Sequence, residues 1–345
     1  MKLDWPSAPQ MLAPPVAIGN TPWLRLGVVL NGMAHEVAVK EEFKNAFGSI
    51  KDRVAWALFR EAIEKGLLNR GGRLIDASSG NYGIALASLG SMFGVDVEIV
   101  VSDGIPDATI AMIRKAGAFV HIAEAVGSET LHEARIALAG KISKDNGAIF
   151  INQYNNPGNP ATHYSWTAPE IFAPGIPDAL FVSASSGGTV AGVSRYIDDN
   201  RIGCAFFVVD SVASNILYAA EAPDKNLFVP GMGSKRPTSF VPPIDNYRLL
   251  RLQDTQALAY YHVLRRGGGL SLGLSSCGVF AGIVNWLGQQ DQPCKVVMLG
   301  TDRHGKYEAH VDACLQDEEL AKEIESYVER DAEFLKSIHG LWNQV

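Results

Sequence analysis

The chain has 345 residues, enough for two ordinary domains and a large buried core. Apolar residues make up 47% and charged residues 19%, which suits a compact protein and excludes an extensively disordered one. A net charge of −7 gives no electrostatic reason for nucleic acid or an anionic membrane as partner.

The first stretch with chemical character is "EEFKNAFGSIKDRVAW" at 41–56. Lys51 sits one residue past a small-residue turn, at the start of a helical pattern in which Val54, Leu58 and Ala62 recur at spacing four. Strand and helix then alternate. "RLIDA" (73–77) reads as a strand and "IALASLGSMFG" as a helix. "VDVEIVVS" is a strand, "ATIAMIRKAG" a helix stopped by Gly117, and "AFVHIA" a strand. "ETLHEARIALAGKI" is helical, "GAIFIN" a strand, and the rhythm resumes in "ALFVSA", "GGTVAGVSRYI" and "CAFFVVD". This succession predicts βαβ units, and the strands are apolar throughout, as when helices cover both faces of a parallel sheet. Further on, "NYRLLRL" precedes a helix that Asp254 is placed to cap. "SSCGVFAGIVNWLGQQ" is another helix, "CKVVMLG" a last strand, and Asp317 to Trp342 reads as a solvated amphipathic helix. Two parallel-sheet domains are expected, with no linker to mark their boundary.

No apolar run reaches the length of a membrane span, and "MKLDWPSAPQ" lacks the charged-then-apolar order of a signal peptide. Cys204, Cys277, Cys294 and Cys314 lie far apart, with no CxxC and no metal-type spacing. Free, mostly buried thiols in a reducing cytoplasm are expected, and no metal site.

Four short segments have the makings of one site. A lysine at a helix start is pushed towards its neutral, nucleophilic form by the helix dipole and by burial, although an exposed lysine is the ordinary reading of Lys51. "SSGNYG" (78–83) offers backbone N–H groups at a helix N-terminus, sized for a carboxylate or phosphate, unless it is an ordinary βα turn. "SASSGGTVAG" (183–192) is again strand, glycine-rich turn and helix. It is neither GxxxxGK[ST] nor GxGxxG, and it holds no lysine or arginine, which suits a permanently held monoester phosphate. In "GLSSCG" (273–278) Ser275 is either a helix cap or a neutral partner for a heterocyclic nitrogen. A lysine for an aldehyde, a phosphate cradle, an asparagine and a neutral ring-nitrogen partner are together the handles of pyridoxal 5′-phosphate (PLP).

The same segments carry a family resemblance. "NAFGSIKDR", "SSGNYGIALA", "INQYNNPGNPATHY", "GLSSCG", "LGTDRHGKY" and "IGNTPWLRL" resemble, over residues 18 to about 307, the motifs of the cysteine synthase (O-acetylserine sulfhydrylase) group of fold-type-II PLP enzymes, part of the tryptophan synthase beta superfamily. The resemblance implies an α/β fold of two domains, each with a mostly parallel sheet flanked by helices. Residues 1–45 with 153–345 would form a larger, cofactor-anchoring domain, and 46–152 a smaller mobile one carrying the Asn81 loop. Lys51 would bind the cofactor covalently and act as the base at Cα, and Asn81 would bond the 3′-oxygen. Ser185, Ser186, Gly187, Gly188 and Thr189 would surround the phosphate, and Ser275 would face the ring nitrogen. Ser78, Ser79, Asn81, Tyr82 and Gln153 would meet the substrate. The implied chemistry is β-replacement on an O-activated serine through an aminoacrylate. The implied partners are small amino-acid substrates and a second copy of the chain.

Several positions depart from the sulfide-using pattern. Tyr82 stands for the usual threonine, Ser185 for the first glycine of the phosphate loop, and Cys277 for a glycine. "VPGMGSKRP" brings Gly231 and Arg236 towards the active-site mouth. These features are similar to a neighbouring branch that joins O-phosphoserine to glutamate, in which Arg135, Tyr154 and Ser185 fall where the amino-acid nucleophile binds. An arginine clamps a carboxylate, which sulfide never requires. The ordinary readings are a helix-surface charge for Arg135, a packed aromatic for Tyr154 and a loop charge for Arg236. An amino-acid amine such as glutamate is therefore favoured over sulfide. A serine or threonine dehydratase and a catalytically silent binding protein stay open.

Overall fold

A computed structural model of the protein describes residues 13–78, 80–125, 130–217, 227–240, 247–265, 270–332 and 334. In chain order a hairpin of β1 (Trp23–Leu30) and β2 (Met33–Lys40) precedes α1 (Lys51–Glu64), β3 (Arg73–Ala77), α2 (Asn81–Phe93) and β4 (Asp96–Ser102). Next come α3 (Asp107–Lys115), β5 (Phe119–Ala123), α4 (Leu131–Asn146), β6 (Ile149–Phe150) and α5 (Gly158–Thr162). A π-helical turn, His163–Thr167, leads into α6 (Ala168–Phe172), β7 (Ala179–Ser183), α7 (Gly188–Asp199) and β8 (Ala205–Ser211). The described chain ends with β9 (Arg248–Leu252), α8 (Asp254–Leu264), α9 (Leu274–Leu287), β10 (Lys295–Leu299), α10 (Glu308–Cys314) and α11 (Glu318–Arg330).

The chain divides into two compact units, one of 13–19 and 44–162, the other of 20–43 and 163–334. The first unit is built on a four-stranded, wholly parallel sheet in the order β5-β4-β3-β6. Its helix α1 buries Val54, Leu58 and Ala62, the three residues the spacing selects. Glycines in the left-handed conformation end α2 at Gly94 and α4 at Gly147, and Thr130 with Glu133 forms a capping box at the start of α4. Strand β6 is shorter than "GAIFIN" predicts. Asn152 takes a positive φ of 55° and turns the chain out of the ladder.

The second unit has a six-stranded sheet in the order β1-β2-β10-β7-β8-β9, parallel except for the β1–β2 hairpin. Its two-residue turn, Asn31-Gly32, has positive φ at both positions, as a hairpin with the natural strand twist demands. Helix α9 is buried along nearly its whole length against β7 and β8, and a Cβ at Gly282 would stand 2.9 Å from Val209 Cγ2. Asp254 does not cap α8. Gln253 holds that position, and the Asp254 carboxylate accepts instead from the main-chain N–H of Phe228 (2.6 Å) and Val229 (3.3 Å). The amphipathic tail forms α11, which Asp317 caps and which packs on α8 with Ile324 buried; the rest of the predicted helix, to Trp342, lies outside the described residues apart from 331, 332 and 334. All four cysteines are free thiols, two of them buried. Among the described residues no helix is long and apolar enough to cross a membrane, and no cluster of metal-binding side chains occurs.

Gly90 lies inside α2, where its helix propensity is poor, because a Cβ there would meet Val97 Cγ2 at 2.3 Å and the Val95 carbonyl at 2.9 Å. Gly90→Ala is expected to lower stability by about 1–2 kcal/mol, overpacking outweighing the propensity gain. A urea titration that shows equal or greater stability would disprove this packing account.

Candidate active site

In the first unit Lys51 is the first residue of α1, and the preceding turn is tied down from inside. The buried Asp52 carboxylate accepts from Phe47 N (2.6 Å) and from Ser49 Oγ (3.1 Å), and Ser49 Oγ accepts from Lys51 N (3.2 Å). Asn45 braces the turn from the other side, its Nδ2 donating to the Ser49 carbonyl (3.1 Å) and its Oδ1 accepting from Gly19 N (2.8 Å). The backbone that carries the lysine is therefore fixed, while its side chain is half-buried.

At the end of β3 the chain turns directly into α2. Ser78 Oγ accepts from Gly80 N (3.1 Å) and Gly83 N (2.9 Å), so this serine closes the turn, and Gly80 has a φ of 154° that favours glycine. Asn81 is the first helical residue. Ser79 lies outside the described residues. Gln153 is buried and donates from Nε2 to the Ala77 carbonyl (2.7 Å), while its own N–H goes to Asp76 Oδ2 (3.1 Å). Asn159 in turn donates to the Gln153 carbonyl (2.9 Å). Tyr82 is buried in the same place, beside Asp76. Burial pushes the Asp76 carboxyl up to about 7, against the pull of the N–H groups of Ala77 and Gln153; burial and then the Asp76 charge push the Tyr82 hydroxyl well above its usual range.

Arg135 is not a helix-surface charge. It is 7% exposed on the inner face of α4, with Nη1 donating to Ser102 Oγ (3.2 Å) and Nη2 to Tyr154 Oη (2.9 Å) and His132 Nδ1 (2.8 Å). The guanidinium carbon stands 5.5 Å from the Tyr154 ring centre, and the His132 ring packs edge-on against that ring. Each of these partners is neutral or, in the case of the histidine, accepts through a lone pair. Among the described residues no carboxylate pairs with this guanidinium, and its Nε has no hydrogen-bond partner. Tyr154 is a packed aromatic, as its ordinary reading has it, and an acceptor as well.

In the second unit the turn 184–187 joins β7 to α7. Gly187 has a φ of +86°, and a Cβ on it would stand 2.2 Å from Thr238 Oγ1. Thr238 holds the turn by donating to the Ser186 carbonyl (2.6 Å). Ser185 and Ser186 flank the start of α7, Gly188 N donates to Ser186 Oγ (3.4 Å), and Thr189 lies in the first helical turn. The first N–H groups of a helix have no partner inside it, so this end presents donors and a partial positive charge. At α9 the cap is Gly273, not Ser275. Ser275 Oγ and Ser276 Oγ each lie 3.0 Å from Thr301 Oγ1. A Cβ at Gly231 would stand 3.3 Å from Ser275 Oγ, a tight contact, and the residue's φ of +87° favours glycine. Arg236 is a half-buried loop residue whose N–H donates to Ser234 Oγ (3.1 Å).

Sequence reasoning does not single out Asp76, Ser102, His132, Thr238 or Thr301. His163 and Thr167 also escape it, although His163 falls inside the quoted "NPATHY" segment.

This architecture is that of the fold-type-II PLP enzymes, as comparison with solved structures shows. The chain matches a hydrogen sulfide-producing enzyme of Fusobacterium nucleatum with a TM-score of 0.76 and 26% identity, covering 84% of this chain and 97% of that one. Residues 15–302 match the model of the pyridoxal-phosphate dependent enzyme family, and the chain belongs to that family. It is 31% identical to N-(2-amino-2-carboxyethyl)-L-glutamate synthase of Ralstonia nicotianae, over 88% of this chain and 90% of that protein. To cysteine synthase B of Escherichia coli it is 30% identical, over 84% and 92%. It also matches cystathionine beta-synthase of Apis mellifera at 32% over 75% of this chain, while spanning only 53% of that relative's length. The family's cofactor is PLP.

The Asp76 carboxyl titrates near 7 when folded and near 3.8 when not, so it favours the fold only while protonated. That contribution is complete below the unfolded value and is lost as pH rises through about 7. Between about pH 4 and pH 8, Asp76→Asn should gain on the wild type by on the order of 2–4 kcal/mol. Denaturation curves across that range decide it: a stability difference independent of pH excludes Asp76 as the titrating group.

Proposed function

We propose that the protein catalyses PLP-dependent β-replacement on an O-activated L-serine, O-phospho- or O-acetyl-L-serine, with the amine of a second amino acid such as L-glutamate as nucleophile. A C–N bond forms at Cβ, the C–O bond breaks, and phosphate or acetate leaves with the amine's proton released. The observation that carries the choice of nucleophile is Arg135, a buried guanidinium with only neutral partners among the described residues. A buried charge without a counter-charge is costly, and a bound carboxylate supplies one. The likeness to the Ralstonia nicotianae synthase supports the same reading.

The residues suit the cofactor. Gly187 leaves no side chain over the start of α7, where N–H groups and the hydroxyls of Ser185, Ser186 and Thr189 offer donors for a phosphate monoester without a cation. When bound, PLP supplies an electron sink for charge developing at the amino acid's Cα. Lys51 Nζ would hold the aldehyde and carry the proton taken from Cα. Asn81 would orient the 3′-oxygen. The Ser275 hydroxyl, held by Thr301, would face the ring nitrogen without fixing a charge on it. Ser78, Asn81 and Gln153 order the turn that receives the donor's carboxylate, Arg135 with Tyr154 receives the nucleophile's, and Gly231 and Arg236 line the approach.

The likeness to cysteine synthase B favours a second reading, in which sulfide is the nucleophile. Lys51→Ala should abolish the visible absorbance that covalent attachment of the cofactor gives, together with turnover; an unchanged spectrum refutes the role of Lys51. Arg135→Gln should raise KM for glutamate about 10- to 100-fold, the cost of a lost charge-assisted contact, and leave turnover with sulfide within about threefold. Equal effects on both nucleophiles, or product from sulfide alone in the wild type, would decide for the second reading.

A further inference from the structure

The chain leaves α5 through a π-helical turn, His163–Thr167, a rare winding that is frequent at functional sites. Tyr164 of this turn packs edge-on against Tyr196 of α7, and Arg195 stacks on Tyr164, so the turn is clamped to the helix that begins at the glycine-rich turn. His163 and Thr167 are both fully buried. His163 Nδ1 lies 3.0 Å from Thr167 Oγ1, and His163 Nε2 lies 3.2 Å from Thr189 Oγ1. One imidazole thus joins a buried threonine to the threonine of the first turn of α7.

For a neutral imidazole the hydrogens on this line have one self-consistent sense once an anion occupies the turn. A phosphate dianion only accepts, so the Thr189 hydroxyl must donate to it. The Thr189 oxygen then accepts from the imidazole, which places the ring proton on Nε2. A neutral imidazole with its proton on Nε2 has an acceptor at Nδ1, and Thr167 Oγ1–H fills it. Were the tautomer reversed, the Thr189 hydroxyl would point its hydrogen at His163 and a lone pair at the anion. We infer that His163 is a positioning residue: held in its Nε2–H tautomer by Thr167, it fixes the Thr189 hydroxyl as a donor to the phosphate monoester of the cofactor. The inference rests on the cofactor reading given above and concerns the phosphate alone.

The test uses full-length apoprotein titrated with two probes, PLP and pyridoxal, which lacks the phosphate. Affinity is read from the absorbance change, and the phosphate environment from the 31P spectrum. His163→Ala should weaken PLP about tenfold, shift the 31P signal and leave pyridoxal unchanged. His163→Gln, whose amide donates and accepts at similar reach, should recover most of the loss. Where His163→Ala does not fold, Thr167→Val, nearly isosteric, should still weaken PLP two- to fivefold, and the 15N signals of His163 should lose the pure Nε2–H pattern. Unchanged PLP affinity and 31P shift in these variants overturn the inference, as does an equal loss for both probes, which marks a merely structural histidine. Wild-type apoprotein that takes up neither probe overturns the cofactor reading instead.

Discussion

The structure depends on one backbone constraint: the carboxyl end of a parallel strand must pass straight into a helix with nothing standing over the helix's first N–H groups. Gly187 meets it with a left-handed φ and no room for a Cβ beneath Thr238. Gly80 meets it with a φ of 154° before α2. Gly273 stands at a different junction, a loop that follows α8 and opens α9, and is required there by close approach, since a Cβ would stand 1.8 Å from Asp302 Oδ1. At the two strand-to-helix turns the flanking side chains are hydroxyls and an asparagine, and Ser78 and Ser186 each accept from a main-chain N–H of the helix start. The parallel order of β3-β4 and of β7-β8 is what sends successive strands out in one direction and makes such turns recur.

Around these openings the protein holds its turns with buried carboxylates that touch main-chain N–H groups. Asp52 fixes the turn before Lys51, Asp76 fixes Ala77 and Gln153, and Asp254 fixes Phe228 and Val229. Each gives up hydration for two or more short contacts, and burial raises the carboxyls of Asp76 and Asp254 as a consequence. Rigidity at the turns is thus obtained at some cost in stability near neutral pH.

The sequence shows the parallel-sheet elements because apolar strands and 3.6-periodic helices leave plain marks, as in "VDVEIVVS" and in Val54, Leu58 and Ala62. It also places the turns, since Gly, Ser and Asn at a strand-to-helix junction have few other uses. The β1–β2 hairpin is not among the predicted elements, although "LNGM" carries the Asn-Gly turn signal that joins its strands. Asp254 and Ser275 illustrate a different limit. Both have the residue type and position of helix caps, and both are drawn to partners far along the chain, Phe228 and Thr301. Arg135 is the clearest case: a charged residue on a helix reads as surface, and only the packing of α4 onto Tyr154 and Ser102 reveals it as buried. The His163 line cannot be read at all without coordinates, since a π-turn has no sequence signature of its own.

On the proposed reading the protein meets two anions with two different devices, and the difference follows from how long each stays. A phosphate that never leaves can be held by N–H dipoles and hydroxyls, which cost little when the cofactor is absent and need only be aimed correctly. A carboxylate that arrives and departs in each cycle is met by Arg135, whose charge stays buried whether or not the ligand is present. The neutral shell of Ser102, Tyr154 and His132 holds the guanidinium in place without cancelling it. An acid in that shell would make the free protein more comfortable and the ligand less welcome. On that proposal, the absence of a paired carboxylate among the described residues is the feature that turns a buried arginine from a structural burden into a basis for choosing an amino acid over a small neutral nucleophile.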